Sequence, residues 1–347
     1  MQLEILILGG TRFLGRFLVN AARKRGHHVT LFNRGNNGDI FPEIEQLKGD
    51  RDGDLHVLKG RKWDAAIDTS GFIPRTVSKS CELLKYVNHY TYISSVSVYK
   101  DFSKPGLDEQ AEVHTMDNEE VEKITHGTAG PIYGEYYGPL KALSEKAAEK
   151  ELPGKILVVR SGQIVGPYDY TDRLPYWIKR ISEGREVLSP GHPNRPIQVI
   201  DVMDLARWVI QLVEQNVTGT FNAVGPDKTL TMEQLLKECK SVSGSDATFT
   251  WVSEKFLLDN NVEPWGEMPL WIPEEYPLPG TEKPSNGFLA VNNKKAINTG
   301  LTFRPLSETL KDILDWEQNR PQGHERKAGI DRQHENKLLK EWHETNK

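Results

Sequence analysis

Apolar positions in the first part of the chain follow two alternating rhythms. Short, nearly unbroken apolar runs at residues 3–8, 29–32, 65–67 and 90–94 predict strands whose two faces are both covered. Between them, residues 13–25 and 75–87 place their apolar side chains at helical spacing, and Gly26 ends the first of these helices. The spacing predicts further helices over 140–150 and 204–214 and a strand over 156–159. Strand and helix alternating in this way predict a parallel sheet with right-handed crossovers. The rhythm dissolves between Pro105 and Gly134 into an acidic stretch punctuated by Gly and Pro. After Gly166, Pro, Trp and Tyr become frequent, which suits a separate, loop-rich region closing over a site. From Asp331 a charged helical pattern carries Leu338, Leu339 and Trp342 on one side.

Composition narrows the partners. Lys and Arg number 44 against 49 Asp and Glu, a formal charge of -5, which disfavours nucleic acid or an anionic membrane as the main partner. Cys81 and Cys239 stand far apart in no metal or redox spacing, so a reduced, cytoplasmic chain without a metal site is expected. The opening MQLEILILGG has no basic leader, and its apolar run is too short for a membrane span.

The first predicted strand runs directly into GGTRFLG, Gly9 to Gly15, and then into a helix. Strand, glycine turn and helix N-terminus together form an anion site, because unpaired amides and the helix dipole point at a pyrophosphate. Gly9 and Gly10 permit the turn, Thr11, Arg12, Phe13 and Leu14 line it, and Gly15 packs helix against strand. A carboxylate for the adenosine ribose is expected after the second strand. TLFNRG instead offers Asn33 and Arg34. Loss of the carboxylate removes repulsion against a 2′-phosphate, and a guanidinium supplies a forked partner, so NADP is favoured over NAD. Arg12 is placed to approach the same phosphate from the other side. Asp50 and Arg51, in KGDRDGD, are candidates to flank the adenine.

A second constellation concerns proton transfer. YISSVSVY follows the fourth strand, and Tyr137 opens YGPLKALSE with Lys141 four positions on. One helical turn brings both side chains to one cleft. A phenol is a poor base at neutral pH unless a neighbouring cation stabilises its anion. Ser95 is placed to hold the reacting oxygen. Among 11 tyrosines this is the only Tyr-x-x-x-Lys in the chain, which makes its position the informative part.

Taken in order, these segments resemble the extended or atypical short-chain dehydrogenase/reductases, the NAD(P)-dependent epimerase/dehydratase family. GGTRFLG resembles the family's glycine loop, SSVSVY its serine strand, YGPLKALSE its Tyr-x-x-x-Lys helix with Glu145 also matching. VVRSGQIVGP resembles the strand passing the nicotinamide, and DVMDLARWVI and GTFNAVGPDKTLTMEQLL later segments, over roughly residues 1–240. The resemblance implies a doubly wound Rossmann-like α/β sheet over 1–166 and about 196–224. It implies a smaller C-terminal α/β substrate domain over about 167–195 and 225–330, leaving a helical tail over 331–347. It also implies that Tyr137 is the acid/base, that Lys141 holds the nicotinamide ribose and lowers the tyrosine pKa, and that Ser95 orients the reacting group. Thr69, Ser70, Gly71, Ser161 and Gly162 would complete the cofactor wall, and Ser97, Gln163 and Arg195 would face the substrate. A homodimer is implied as well.

The chain departs from the family's pattern at informative places. Arg12 replaces the middle glycine of the loop. Val96 and Ser97 follow Ser95 where sugar-nucleotide dehydratases carry Asp-Glu, so elimination of water is not expected. Gln163 replaces an asparagine, and Arg195 lies two positions early, both against a nucleotide-diphosphate sugar. The acidic insertion over 108–122 offers a lid or substrate wall or a solvated loop, its composition favouring the loop, with His114 and His126 read as solvated as well. Tyr133 and Tyr136 read as pocket or packing residues, and Trp265 and Trp271 as core or pocket wall. The expected activity is NADP-dependent hydride transfer on a hydroxyl or carbonyl of a small, sugar-like molecule, as a reductase or an epimerase. Isoflavone-reductase-like ene reduction and a non-catalytic dinucleotide or RNA scaffold are the alternatives; some relatives with a similar GGTRF loop are chloroplast RNA-binding proteins.

Overall fold

The computed structural model describes residues 1–38, 40–321 and 323–346. At the centre lies β1 (Glu4–Leu8), flanked in parallel register by β2 (His28–Asn33) and β4 (Ala65–Asp68). On one side β2 pairs with β3 (Glu45–Lys48). On the other the sheet continues through β5 (His89–Ser95) and β6 (Ile156–Ser161) to a last strand, Gly219–Ala223. All seven strands run parallel, and the chain reverses its direction of travel between β1 and β4. In doubly wound sheets that reversal opens a crevice at the carboxyl ends of the strands.

Burial on both faces explains why the strands read as continuous apolar runs. Ile5 and Ile7 enter one core with Leu18 of α1 (Leu14–Lys24) and Leu205 and Val209 of α6 (Val202–Glu214). Leu6 and Leu8 enter the opposite core with Val77 of α2 (Pro74–Leu83) and Ala148 of α4 (Tyr137–Glu151). Each such aliphatic side chain contributes about 1.5–3 kcal/mol on burial. The helix predicted to start at residue 140 starts at Tyr137 instead. Gly138 makes this fit, since a Cβ there would lie 2.1 Å from the Ser97 carbonyl oxygen.

Beside the sheet a second core gathers Trp177 of α5 (Arg173–Ser182), Leu188, Leu235 and Ile313. Its short strands pair locally, Glu186–Pro190 with Thr248–Val252 and Pro196–Ile197 with Leu230–Thr231. The C-terminal helix Arg332–Thr345 is docked rather than loose. Leu338 and Leu339 join this core, and the fully buried Glu335 accepts from Arg180 at 2.7 Å and from the Leu188 amide at 3.0 Å.

The acidic stretch expected to be a solvated loop is anchored instead. Val113 bridges to Tyr99, the His114 amide donates to the Val98 carbonyl at 2.8 Å, and Glu109 accepts from the Asn222 amide at 2.8 Å. Exposed residues alternate with these anchors along the stretch, which leads into α3 (Asn118–Thr125). No helix among the described residues is long and apolar enough to cross a membrane.

Candidate active site

The cofactor end is built by β1 running into the glycine turn. Gly9 and Gly10 have φ of 107° and 88°, left-handed values that disfavour any side chain. A Cβ on Gly15 would lie 2.6 Å from the Gly10 Cα, so the first turn of α1 rests directly on the loop backbone. Amides in that first turn lack helical acceptors and form the positive end of the helix dipole. The turn is tied on one side by Asn37, which donates to the Thr11 hydroxyl at 2.9 Å. On the other, the Thr69 and Ser70 hydroxyls donate to the Leu8 carbonyl at 2.9 and 3.2 Å. A nucleotide pyrophosphate fits this cradle, where any larger residue would fill the approach.

At the end of β2, Asn33 takes the place of a carboxylate and accepts from the Gly35 amide at 2.7 Å. Arg34 is exposed and, among the described residues, has no ion-pair partner. Arg12 is a different matter. Its guanidinium carbon lies 4.3 Å from the centre of the Tyr170 ring, which engages it with the 166–172 loop. Arg51 also corrects the expectation. It is buried behind the sheet end, forked onto Asp68 at 2.6 and 2.8 Å and bonded to Ser80, which leaves no edge for adenine. The adjoining Asp50 is exposed, its carboxylate accepting from the Asp52 amide at 3.0 Å in a turn.

The carboxyl ends of β5 and β6 bring Ser95, Ser97, Ser161, Gly162 and Gln163 to one cavity with Tyr137 and Phe13 of the glycine turn. Its volume is about 750 Å³. The Ser95 hydroxyl lies 3.1 Å from that of Ser97 and accepts from the Ser97 amide, which fixes it at the strand end. Tyr137 is half-buried and stacks on Tyr133, ring centres 5.6 Å apart. Burial pushes its phenol up from the ordinary tyrosine value, with Tyr170 and Tyr133 adding to the rise; the Ser95 hydroxyl and the Arg173 guanidinium pull it down. Lys141 does not. Its ammonium is buried beneath the helix, donating to the carbonyls of Gly71 at 2.8 Å and Ile93 at 2.6 Å, above the Tyr92 ring. The lysine expected to lower the tyrosine pKa is thus held by backbone in this structure.

Three further residues correct or extend the reading. Arg195 does not reach the cavity; it is tied to Glu274 at 3.2 Å and to the Ile272 carbonyl at 2.8 Å in a small separate recess. His114, read as solvated, lines the cavity, and burial lowers its pKa. Asp169 also lines it, wholly buried, with one carboxylate oxygen held by Thr171 and the other without a partner; burial pushes it up to about 6. Neither gives a periodic or motif signal, because each is brought in from a polar loop.

Lys141 allows a test of this placement. Burial lowers it from 10.5 to about 7. Between those values the unfolded chain binds a proton that the folded chain has released, so this site costs most stability at or below about pH 7, and the cost is relieved as pH rises. A Lys141→Met variant should therefore gain stability over the wild type most at neutral pH, the difference shrinking toward pH ~10. Paired urea titrations at the two pH values check it, and a pH-independent difference would contradict the burial.

Comparison with known proteins agrees with this geometry. The profile of the NAD dependent epimerase/dehydratase family matches residues 5–224. The chain is similar to the chloroplast stem-loop binding protein of 41 kDa b from Arabidopsis thaliana, 29% identical over 261 residues, 70% of this chain. That match takes in 63% of the relative's length. Among solved structures, the UDP-Glc/GlcNAc 4-epimerase of Campylobacter jejuni superposes with a TM-score of 0.65 at 16% identity, over 91% of this chain and 99% of that one. The human epimerase family protein SDR39U1, solved with NADPH, superposes with a TM-score of 0.58 at 19% identity, over 90% and 99% of the two chains.

Proposed function

Because the chain belongs to the NAD dependent epimerase/dehydratase family, we propose that it is an NADP-using oxidoreductase or epimerase acting on a hydroxyl or carbonyl of a small molecule. The observation that carries this reading is that Ser95 and Tyr137 share one cavity with the glycine turn's Phe13 and with Ser161 and Gly162. In this reading residues 9–15, Asn33, Arg34, Asp50 and 69–71 hold the dinucleotide, and the regions 167–195 and 225–330 form the substrate wall. Bound there, nicotinamide supplies the hydride donor or acceptor. Ser95 donates a hydrogen bond to the reacting oxygen. Tyr137 gives that oxygen a proton when a carbonyl becomes a hydroxyl, and takes one in reverse. Lys141 secures the strand ends below the site through Gly71 and Ile93.

NADP is favoured over NAD because Asn33 brings no negative charge and Arg34 sets a guanidinium beside it that has no ion-pair partner among the described residues. Titration of the protein with NADPH and NADH, followed by nicotinamide fluorescence, tests the reading. NADPH should bind more tightly, and Asn33→Asp should weaken NADPH by roughly tenfold or more while sparing NADH, since a carboxylate then faces the phosphate. Failure of either coenzyme to bind would end the proposal. The Arabidopsis relative is named for stem-loop binding, yet the net charge of -5 favours a small-molecule partner for this chain.

A further inference from the structure

Arg173 is the least explained charge in the molecule. It opens α5 in the wall of the cavity that holds Tyr137. Among the described residues one of its five N–H donors is used, donating to the Gln163 side-chain oxygen at 3.2 Å. The guanidinium carbon lies 4.9 Å from the centre of the Trp265 ring, which covers one flat face. Trp265 is itself held edge-on against Phe288, ring centres 5.6 Å apart. The platform is therefore fixed, and the in-plane edge of the guanidinium is left for a ligand.

Other sheltered arginines show what this one lacks. Arg51, Arg160, Arg180, Arg304 and Arg320 each meet a carboxylate. Among the described residues, Arg16 and Arg173 are the partly buried arginines with no carboxylate within 4.0 Å, and Arg16 lies outside the cavity, stacked on Tyr168. A partly desolvated charge without a counter-ion is costly unless something pairs with it. Burial accordingly works against the Arg173 charge, and the Asp169 carboxylate in the same cavity offsets only part of that without reaching ion-pair distance.

The remaining charges in the wall limit what that partner is. Glu135, Asp169 and Glu263 outnumber Arg173 and Lys327, so the lining is not a basic pocket suited to a multiply charged diphosphate. One planar fork in a wall of this balance matches one planar monoanion. We infer that the substrate carries a single carboxylate, received by Arg173 on its open edge, with the reacting carbon reaching between Ser95 and Tyr137. The substrate class is then a hydroxy or keto acid, a sugar acid among them. This inference rests on the oxidoreductase reading above.

Calorimetry on the NADP-loaded full chain tests it, with acetate as a monocarboxylate probe and inorganic phosphate beside it. Acetate should bind saturably, and Arg173→Gln should weaken it by at least about tenfold, the loss expected for a charged hydrogen-bonded partner. Arg173→Lys, which keeps the charge and loses the fork, should fall between, and Arg61→Gln on the exposed surface should match the wild type. Thermal unfolding confirms that each variant is folded. In turnover, sugar acids should be consumed in preference to the corresponding neutral sugars, and the preference should vanish in Arg173→Gln. NADP uptake without saturable acetate binding overturns the inference alone. Phosphate binding more tightly than acetate at Arg173 overturns it in favour of a phosphorylated substrate. Absence of NADP uptake overturns the oxidoreductase reading and this inference with it.

Discussion

Tyr137→Phe should lower NADPH-coupled turnover by about 10²–10⁴-fold, the range for removal of a positioned acid or base, while leaving coenzyme affinity unchanged. The phenol is the proposed acid/base group and shares the cavity with Ser95, and its removal keeps the ring that stacks on Tyr133. Because burial and the neighbouring Tyr170 and Tyr133 hold the phenol above its ordinary value, it is protonated at neutral pH. Reduction of a carbonyl needs that protonated form, whereas oxidation of a hydroxyl needs the phenolate. Oxidation should therefore accelerate as pH rises through the alkaline range, while reduction should hold level until the pH approaches the raised phenol value. The phenylalanine variant should lose the slope of oxidation. Initial rates in each direction against pH, with coenzyme titration as the control, check these expectations. Full activity in Tyr137→Phe would move the assignment to a reaction such as ene reduction, which does not pass a proton through this residue.

The sequence made the scaffold legible because its constraint is local. A strand covered on both faces must be apolar at every position, so β1 appears in the sequence within one residue of its observed start. Gly9 to Gly15 and the Tyr137–Lys141 spacing are legible for a related reason: a tight turn and one helical turn each fix neighbours a few positions apart. What the sequence hides is where long polar side chains end. Arg51 looks available beside Asp50 until the fold brings Asp68 against it, and Arg12 looks free until Tyr170 arrives from the far side of the chain. Lys141 stands where the pattern puts it, yet its ammonium finds Gly71 and Ile93 rather than the phenol. Arg173 carries no motif at all. Its interest comes from an absence, the missing carboxylate, which only the surrounding contacts can reveal.

The buried pair under the cofactor wall gives the largest expected effect on stability. Asp68 is fully buried at the end of β4, accepting from Arg51 at 2.6 and 2.8 Å, from the Tyr90 hydroxyl at 2.8 Å and from the Ser70 amide at 3.0 Å. Asp68→Ala strands the Arg51 guanidinium inside the protein, and loss of one partner of a buried pair costs about 3–5 kcal/mol. The urea midpoint should fall accordingly. Asp68→Asn retains one of the two acceptor oxygens and should cost less than the alanine. The double variant Asp68→Leu with Arg51→Met removes both charges together and should recover much of the loss, since two buried ions also carry desolvation costs. A double variant no more stable than Asp68→Ala would mean that shape, not charge, holds this corner. The consequence reaches the site because Asp68 leads directly into Thr69, Ser70 and Gly71. The Ser70 amide donates to Asp68, and Gly71 provides the carbonyl that holds Lys141. Coenzyme binding should therefore weaken in Asp68→Ala at urea concentrations where the protein is still folded, and should return in the double variant only if its backbone at 69–71 returns with it.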